Sequence, residues 1–507
     1  MTSTGNSKRT QAQDTKKLSL DKDLTRLAQL EGATSTITQR LFAPGLAIFF
    51  LALAGAYASI QIGAQPNAIF IIVAGMLGGY MALNIGANDV ANNVGPAVGS
   101  KALTLTGALI IAAIFESAGA LIAGGDVVST ISKGIIDPSL MPDSTTFVWA
   151  MMAALLSSAL WVNLATYIGA PVSTTHSVVG GVMGAGIAAV GFNVVNWATM
   201  SKIAASWVIS PVLGGVIAAL FLFFIKTNII YRDDKIAAAK RWVPLLIALM
   251  TSVFSCYLIM KGLKRVWKPD VAMIMMIGAG LFVASWVILR PVIARQAQGL
   301  ENRNQSLRSL FHIPLICSAA LLSFAHGAND VANAVGPLAA IIHSVQSGDI
   351  AAKVDIPIWV MIIGAVGISL GLFLYGPRLI RMVGEQITAM NPIRAFCVSL
   401  AAAITVIIAS GLGLPVSSTH IAVGAIFGVG FFREYYTAHS KRRQMYVKTH
   451  KRYPSLEVSE NSTPDETSKR ILVRRSHFLT IITAWVVTVP AAALLSAGIF
   501  YALTYIR

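Results

Sequence analysis

An all-α polytopic membrane protein built from inverted-topology repeats is predicted by three observations. Apolar runs of membrane-spanning length recur along the chain, one eleven-residue polar element occurs twice, and its copies stand an odd number of steps apart in the order of runs. The 507-residue chain is 55% hydrophobic and only 12% charged, with a mean hydropathy of +0.69, whereas soluble domains carry roughly 25% charged residues. The runs reach the ~20 residues that a helix needs to cross the hydrocarbon core. They are long and continuous, unlike the short alternating strands of a membrane β-barrel.

Residues 1–40 form a polar, basic tail (Lys8, Arg9, Lys16, Lys17, Lys22, Arg26, Arg40), expected to be disordered and cytoplasmic. The tail lacks the apolar core and cleavage site of a secretory signal, and Asp14, Asp21, Asp23 and Glu31 weigh against a transit peptide. Thirteen apolar segments follow, at about 41–60, 68–87, 103–123, 146–168, 171–190, 204–226, 242–260, 271–290, 312–330, 356–375, 392–413, 415–432 and 477–501. They predict about 12–13 transmembrane segments, some of them discontinuous helices. The chain then divides into the tail, an extra first helix at 41–60, a first repeat at 65–230, connecting helices and a loop at 231–311, a second repeat core at 312–432, a basic cytoplasmic loop at 433–476 and a closing helix at 477–507. The cysteines, Cys256, Cys317 and Cys397, fall within apolar runs at no metal-ligand spacing and read as small packing residues.

The net charge of +17 lies mostly in the tail and a few loops, the distribution the positive-inside rule predicts, and does not read as a nucleic-acid footprint. With the tail inside and every segment spanning, loops 227–241, 291–311, 376–391 and 433–476 are cytoplasmic and basic. The loop carrying Lys261, Lys264, Arg265 and Lys268 disagrees. The 433–476 loop reads as a solvated linker, with anionic headgroup binding as the alternative.

The duplicated element is Gly86-Ala87-Asn88-Asp89-Val90-Ala91-Asn92-Asn93-Val94-Gly95-Pro96 and Gly327-Ala328-Asn329-Asp330-Val331-Ala332-Asn333-Ala334-Val335-Gly336-Pro337. It is identical at ten of eleven positions, differing at Asn93 and Ala334. A second pair follows at matched distance: Pro171-Val172-Ser173-Thr174-Thr175-His176 and Pro415-Val416-Ser417-Ser418-Thr419-His420. The Asp89 run is the second and the Asp330 run the ninth, so the copies cross in opposite senses if every run spans. A re-entrant Pro-Val-Ser segment would change that parity. Inverted repeats with interrupted helices are the mark of secondary transporters.

On a helix Asn88, Asp89 and Asn92 share a face, as do Asn329, Asp330 and Asn333. That face offers carboxylate and amide oxygens to a cation, or amide N–H groups to an anion. Capping of helices at the membrane surface is the plainer alternative. The Gly-Pro that follows is expected to break or kink each helix and free backbone groups. Each Pro-Val-Ser element reads as a helix start with proline in the first turn, where hydroxyls and unpaired N–H groups make an anion site without fixed charge. Ordinary N-capping is the alternative there. His176 and His420 are open between orienting a hydroxyl, titrating and satisfying buried backbone. Glu116, alone within its apolar run, calls for a cation, a proton or a basic partner, or a structural hydrogen bond to a neighbouring helix. The glycines of Gly180-Gly181-Val182-Met183-Gly184 read as close helix packing. No Walker motif, metal-binding histidine pair or nucleophile elbow is found, so an enzyme is not expected.

With both Gly-Ala-Asn-Asp-Val-Ala-Asn elements, both Pro-Val-Ser-x-Thr-His elements and Phe115-Glu116 in view, the chain resembles the inorganic phosphate transporter (PiT) family over roughly residues 65–505. The resemblance implies a multi-pass protein of the plasma membrane, or of the inner membrane in a bacterium, that imports phosphate by symport with Na⁺ or H⁺ and needs no cofactor. By position it implies Asn88, Asn92, Ser173, Thr174, Thr175, Asn329, Asn333, Ser417, Ser418 and Thr419 as phosphate ligands. Asp89, Asp330, Glu116, Asn88 and Asn329 become ligands of the coupling cation. One departure bears on the coupling ion: some sodium-coupled members carry a glutamate where this chain has Ser399. Sulfate or another tetrahedral oxyanion is the nearest alternative substrate, and a channel a more distant one. A homodimer is compatible with the sequence.

Overall fold

In hydrocarbon every backbone N–H and C=O must pair within its own segment, so apolar runs of this length fold as helices. A computed structural model describes residues 41–262, 269–348, 356–386, 390–443, 445 and 475–505. The expected tail 1–40, most of the 433–476 loop and the discordant Lys264, Arg265 and Lys268 lie outside the described residues. The chain divides into two units, Met1–Phe50 and Leu51–Arg507.

The helices are α1 (Leu41–Ile62), α2 (Ala68–Asn88), α3 (Val90–Gly99), α4 (Leu105–Ala123), α5 (Gly125–Lys133), α6 (Ser144–Ile168), α7 (Thr174–Val190), α8 (Trp197–Ile225), α9 (Lys235–Lys261), α10 (Val271–Gln296), α11 (Asn304–Leu310), α12 (His312–Ser347), α13 (Ile358–Gln386), α14 (Pro392–Gly411), α15 (Ser418–His439) and α16 (Arg475–Tyr505). Side-chain caps set many of the starts: Thr104, Asp143, Asn196, Asp234, Asp270 and Asn391 each accept a backbone N–H of the first turn. The Asn196 cap is why α8 begins seven residues before its apolar run does.

Each of the thirteen predicted segments has a helix, and among the described residues eleven helices are long and apolar enough to cross a membrane. The two that fall short, α7 and α15, are those led in by the Pro-Val-Ser elements. Both begin inside the protein, with Thr174 and Thr175, and Ser418 and Thr419, already buried; α7 has 17 residues, while α15 has 22 but carries Arg433 and Glu434 toward its end. A parity count that requires every segment to span therefore cannot carry the inversion. Direct contact does. Gly78 on α2 abuts Leu338 on α12, while the carboxylates of Asp89 and Asp330 lie within 4.8 Å of each other. Moving up α2 is moving down α12, so the two run antiparallel.

The halves are exchanged across the middle: α13 packs on α2 and α3, α4 on α12, α8 on α15 and α16 on α7. Glycines make this approach close. Gly86 meets backbone of α13 at Ile368 and its repeat counterpart Gly327 meets backbone of α4 at Glu116; Gly119 and Gly371 do the same at Phe324 and Leu83. Gly180 and Gly184 rest on α16 at Val489 and Ala493, and Gly424 and Gly428 on α8 at Pro211 and Gly215. These are the small-residue seams expected from the sequence. Gly371→Val is expected to destabilise the protein by about 3 kcal/mol, the upper end of the usual overpacking cost, because backbone cannot yield to the new methyls. Thermal unfolding of the purified variant checks this, and an unchanged Tm would mean that the helices are not in backbone contact.

The glycine register pairs Ser117 with Ser369, and their hydroxyls meet at 2.8 Å. His176 and His420, paired by the second element, have ring centroids 4.3 Å apart. Residues related by a two-fold rotation touch each other only near its axis. The serine pair, the aspartate pair and the histidine pair therefore trace one pseudo-two-fold axis, which in inverted repeats lies in the membrane plane.

Candidate functional site

The expected Gly-Pro breaks are not where the helices are interrupted. Pro96 lies inside α3 and Pro337 inside α12, while the first half breaks at Asp89 and α12 continues through Asp330. Buried packing around Gly336 and Pro337 holds the turn together. Each proline nevertheless lacks the N–H that would pair with the carbonyl four residues earlier, and those carbonyls belong to Asn92 and Asn333.

The helix starts also differ from expectation. Pro171-Val172 and Pro415-Val416 precede their helices, and α7 and α15 begin only at Thr174 and Ser418. Ser173 and Ser417 take the capping role, accepting from the N–H of His176 at 3.1 Å and of His420 at 3.2 Å. A serine oxygen satisfies an N–H of the first turn, so it outcompetes proline for setting the boundary.

Between the two helix tips lie the aspartates, both about 1% exposed. Asp89 accepts from Thr174 Oγ1 at 2.5 Å and from Thr419 Oγ1 at 2.7 Å, one hydroxyl from each half. Asp330 accepts from Ser418 Oγ at 2.8 Å and from Asn329 Nδ2 at 2.7 Å. The amides cross over: Asn92 Nδ2 donates to Thr419 Oγ1 at 2.9 Å, and Asn333 Nδ2 donates to Thr174 and Thr175 Oγ1 at 3.2 and 3.1 Å. Thr175 in turn donates to the carbonyl of Val416 at 3.0 Å. The Oδ1 atom of Asn92 is buried with no partner among the described residues.

Asn88 and Asn329 act differently from their neighbours. Asn88 donates to Thr166 Oγ1 and to the carbonyl of Ala170, and accepts from the N–H of Val172. Asn329 donates to the carbonyl of Val416 and accepts from Ser410 Oγ. Both asparagines pin the turns that lead into α7 and α15.

Glu116, fully buried, accepts from Asn93 Nδ2 at 2.9 Å and does not join the aspartates directly. The link is His326, which sequence reasoning missed. Its Nδ1 lies 3.2 Å from Glu116 Oε1 and its Nε2 2.8 Å from Asp330 Oδ2, with Asp89 in the same cluster. In its cationic form one imidazole compensates two buried carboxylates. The signal was available: His326 lies four residues before Asp330, on the same helix face, where the first copy has Ile85. The register that pairs Gly119 with Gly371 places Ile368 opposite Glu116. Asn93, Glu116 and His326 thus have apolar counterparts in Ala334, Ile368 and Ile85, and the polar insert belongs to one side of the axis only.

The rings of His176 and His420 lie against indoles, His176 tilted 40° to Trp207 with centroids 3.8 Å apart and His420 stacked on Trp485 at 3.7 Å. The four rings form a row beside the site.

Comparison with known proteins agrees with this architecture. A family model described as "Phosphate transporter family" matches residues 85–496. A "Putative phosphate permease" of Helicobacter pylori is 45% identical, covering 96% of this chain and 99% of that protein. One of Pyrococcus abyssi is 36% identical over 84% of this chain and 96% of its own length. A solved structure titled "The sodium-dependent phosphate transporter" superposes with a TM-score of 0.75 at 33% identity, over 87% of this chain and 100% of that one. The duplicated acid-amide elements, the hydroxylated helix tips and these matches together make the chain a multi-pass membrane member of the phosphate transporter family, and a transporter rather than an enzyme.

Proposed function

We propose that phosphate binds between the N-termini of α7 and α15 and that sodium, held by Asp89 and Asp330, drives its entry. The observation that carries this reading is one buried centre where two helix tips and two carboxylates share hydrogen bonds. Helix N-termini favour anions through unpaired N–H groups and the positive dipole end. Two carboxylates beside them repel an oxyanion unless a cation lies between. Binding of the two ions is therefore mutually favourable, and by linkage each raises the affinity of the other equally.

The donor set fits a hard cation, which prefers oxygen ligands. Besides the carboxylates there are the orphaned Asn92 Oδ1 and the carbonyls of Asn92 and Asn333, which have no N–H four residues on because Pro96 and Pro337 stand there. Thr174, Thr175, Ser418 and Thr419 offer hydroxyls to phosphate oxygens. Ser173 and Ser417 cap, and Asn88 and Asn329 hold the entry turns, so all four position the tips and do not contact the substrate. Glu116 acts on the site through His326.

Energetics require co-transport. A negative-inside potential opposes each negative charge by about 2.3 kcal/mol per 100 mV, and phosphate carries between one and two. Enough cations must accompany it to make the transfer neutral or positive. The moving parts are two bundles, each drawing helices from both repeats, one rocking against the other. The basic side chains are topological in this reading, and nucleic acid is not a partner.

The test is phosphate uptake into proteoliposomes with sodium and proton gradients imposed separately. Accumulation driven by the sodium gradient alone is the expected result. Accumulation that follows only the proton gradient would replace sodium by protons, a reading that His326, a proton-carrying side chain in the cluster, specifically favours. Competition by sulfate separates phosphate selectivity from general oxyanion binding.

A further inference from the structure

The two turns that lead into the buried centre are built alike. Ser158 on α6 donates to the carbonyl of Ser177 on α7 at 3.0 Å, and Gly181 meets the carbonyl of Ala154. Moving back along α6 is therefore moving on along α7, and the pair forms a hairpin whose tip is the Pro171 turn. Helices α14 and α15 are its repeat counterpart. At both tips a glycine takes positive φ, +79° at Gly169 and +69° at Gly413, which a residue with a Cβ resists. Gly169 and Gly413 donate to the carbonyls of Thr166 and Ser410 at 3.1 and 3.0 Å, and Ala170 and Leu414 to those of Ala165 and Ala409 at 2.8 and 3.1 Å. Each pair keeps the spacing of Pro171 to Pro415.

Asn88 and Asn329 pin these tips near the aspartates. A second set of bonds ties them to other helices. Arg378 on α13 donates from Nη1 to the carbonyl of Tyr167 at 3.2 Å, and its Nη2 lies 3.8 Å from where a Cβ on Gly169 would stand. At the other tip Thr130 on α5 donates to the carbonyl of Gly413 at 2.9 Å, and Lys261 at the end of α9 donates to that of Gly411 at 3.4 Å. Tyr167 and Gly411 each stand four residues before their proline, so the same carbonyl is held at both tips. The donors are not copies of one another. The register that pairs Gly119 with Gly371 sets Asp126 opposite Arg378, and α9 lies outside both repeats. Duplication did not supply these ties; each tip has its own.

The ties stand on opposite sides of the membrane's middle. Ser117 and Ser369 meet on the pseudo-two-fold axis, which lies in the membrane plane. Arg378 is nine residues beyond Ser369 on α13, about 13 Å along a helix, and half of the hydrocarbon core is about 15 Å thick. The second tip is the image of the first and lies on the other side. The loop at 376–391, expected in the cytoplasm, makes Arg378 the inner tie and Thr130 with Lys261 the outer one. A lysine on the outer side runs against the positive-inside pattern, and holding the tip gives it a reason to be there. Both ties are made at once, while Asp89, Asp330 and the hydroxyls between the tips are buried. The centre is closed on both sides.

The ties also cross between two groups of helices. Helix α13 packs on α2, α3 and α4, and α5 on α12, whereas α6 and α7 pack on α16, and α14 and α15 on α8. Rocking of one group against the other strains one tie or the other. We propose that Arg378 is the inner gate of the transport cycle and Thr130, with Lys261, the outer gate. Opening to the inside breaks the Arg378 bond and keeps the outer ones; opening to the outside does the reverse. The bonds suit this use. Their acceptors are neutral carbonyls at the ends of α6 and α14, where a donor is favoured without the strength of a bond to a carboxylate. Tyr167 and Arg378 are exposed, so water can take over the carbonyl when the bond breaks. The proposal rests on the buried centre being the transport site, and not on its substrate or coupling ion.

Hydrogen exchange of the purified full chain reads the gates without reference to transport. Arg378→Gln should speed exchange at residues 169–176 about fivefold, the worth of one ordinary hydrogen bond, and leave 413–420 unchanged. Thr130→Val should do the converse. Phosphate uptake into proteoliposomes of uniform orientation then reads direction. The apparent KM for external phosphate should rise about threefold in Arg378→Gln, which favours the inward-open state, and fall by a similar factor in Thr130→Val. Arg378→Lys should stay near wild type. The double variant should return to within about twofold of wild type, because opposite biases cancel where two structural losses would add. Faster exchange at both tips from either single variant overturns the proposal, as do KM shifts of one sign that add in the double variant. The expected exchange pattern in a protein that moves no phosphate would support the gates and overturn the phosphate reading instead.

Discussion

Asp89→Asn is expected to lower cation-driven phosphate uptake by at least about a hundredfold while the protein still folds and inserts. The carboxylate receives hydroxyls from both halves, Thr174 and Thr419, and asparagine preserves the shape but removes the charge that opposes a cation. Losing one partner of a buried charged contact costs about 3–5 kcal/mol, or two to three orders of magnitude in affinity or rate. Asp330→Asn should behave likewise, because a cation placed between two carboxylates loses half of its compensation in either variant. Initial uptake rates in proteoliposomes test this, with circular dichroism and size-exclusion profiles as controls for folding. Uptake within about threefold of wild type in a properly folded Asp89→Asn protein would remove the residue from cation binding.

His326→Ile should be nearly as damaging and for a different reason. The substitution installs the residue the first half already has, Ile85, yet it strands Glu116 and Asp330 as buried carboxylates without their shared imidazole. A loss of roughly 3–5 kcal/mol of stability is expected. The informative comparison is the triple variant Asn93→Ala, His326→Ile, Glu116→Ile, which makes the two sides of the axis alike. Removing every member of a buried polar network is far cheaper than removing one, so its Tm should recover most of the single variant's deficit. Uptake should stay impaired. A triple variant with wild-type transport would show that the one-sided insert is structural, and a single variant with unchanged Tm would show that His326 carries no charge in the folded protein.

The parts of this molecule that were legible in the sequence are those that occur twice. Duplication turned Asp89 and Asp330, and the hydroxyls after Pro171 and Pro415, from individually weak signals into a candidate site, because chance rarely repeats polar residues inside apolar runs. What duplication hides is difference. Asn93 and His326 stand exactly where the copies disagree, and both are partners of Glu116. Local rules failed at the helix tips for a related reason. Proline tolerates a first helical turn, but Ser173 and Ser417 bind the N–H groups that define it, so the helices start later than the prolines suggest. Asn88 and Asn329 could not be told from Asn92 and Asn333 by face alone, since which amide reaches a loop and which reaches the centre depends on packing between halves. Segment counting could not tell α7 and α15 from the eleven longer or more apolar helices, because hydropathy does not reveal where along the bilayer normal a helix begins.

The histidine and tryptophan row has one more implication. A transporter of this symmetry changes state when each half adopts the form its partner held before. Whatever sits on the rotation axis is its own image under that exchange. Trp207, His176, His420 and Trp485 would then occupy equivalent arrangements whether the proposed phosphate centre faces outward or inward, a stationary spindle around which everything else turns.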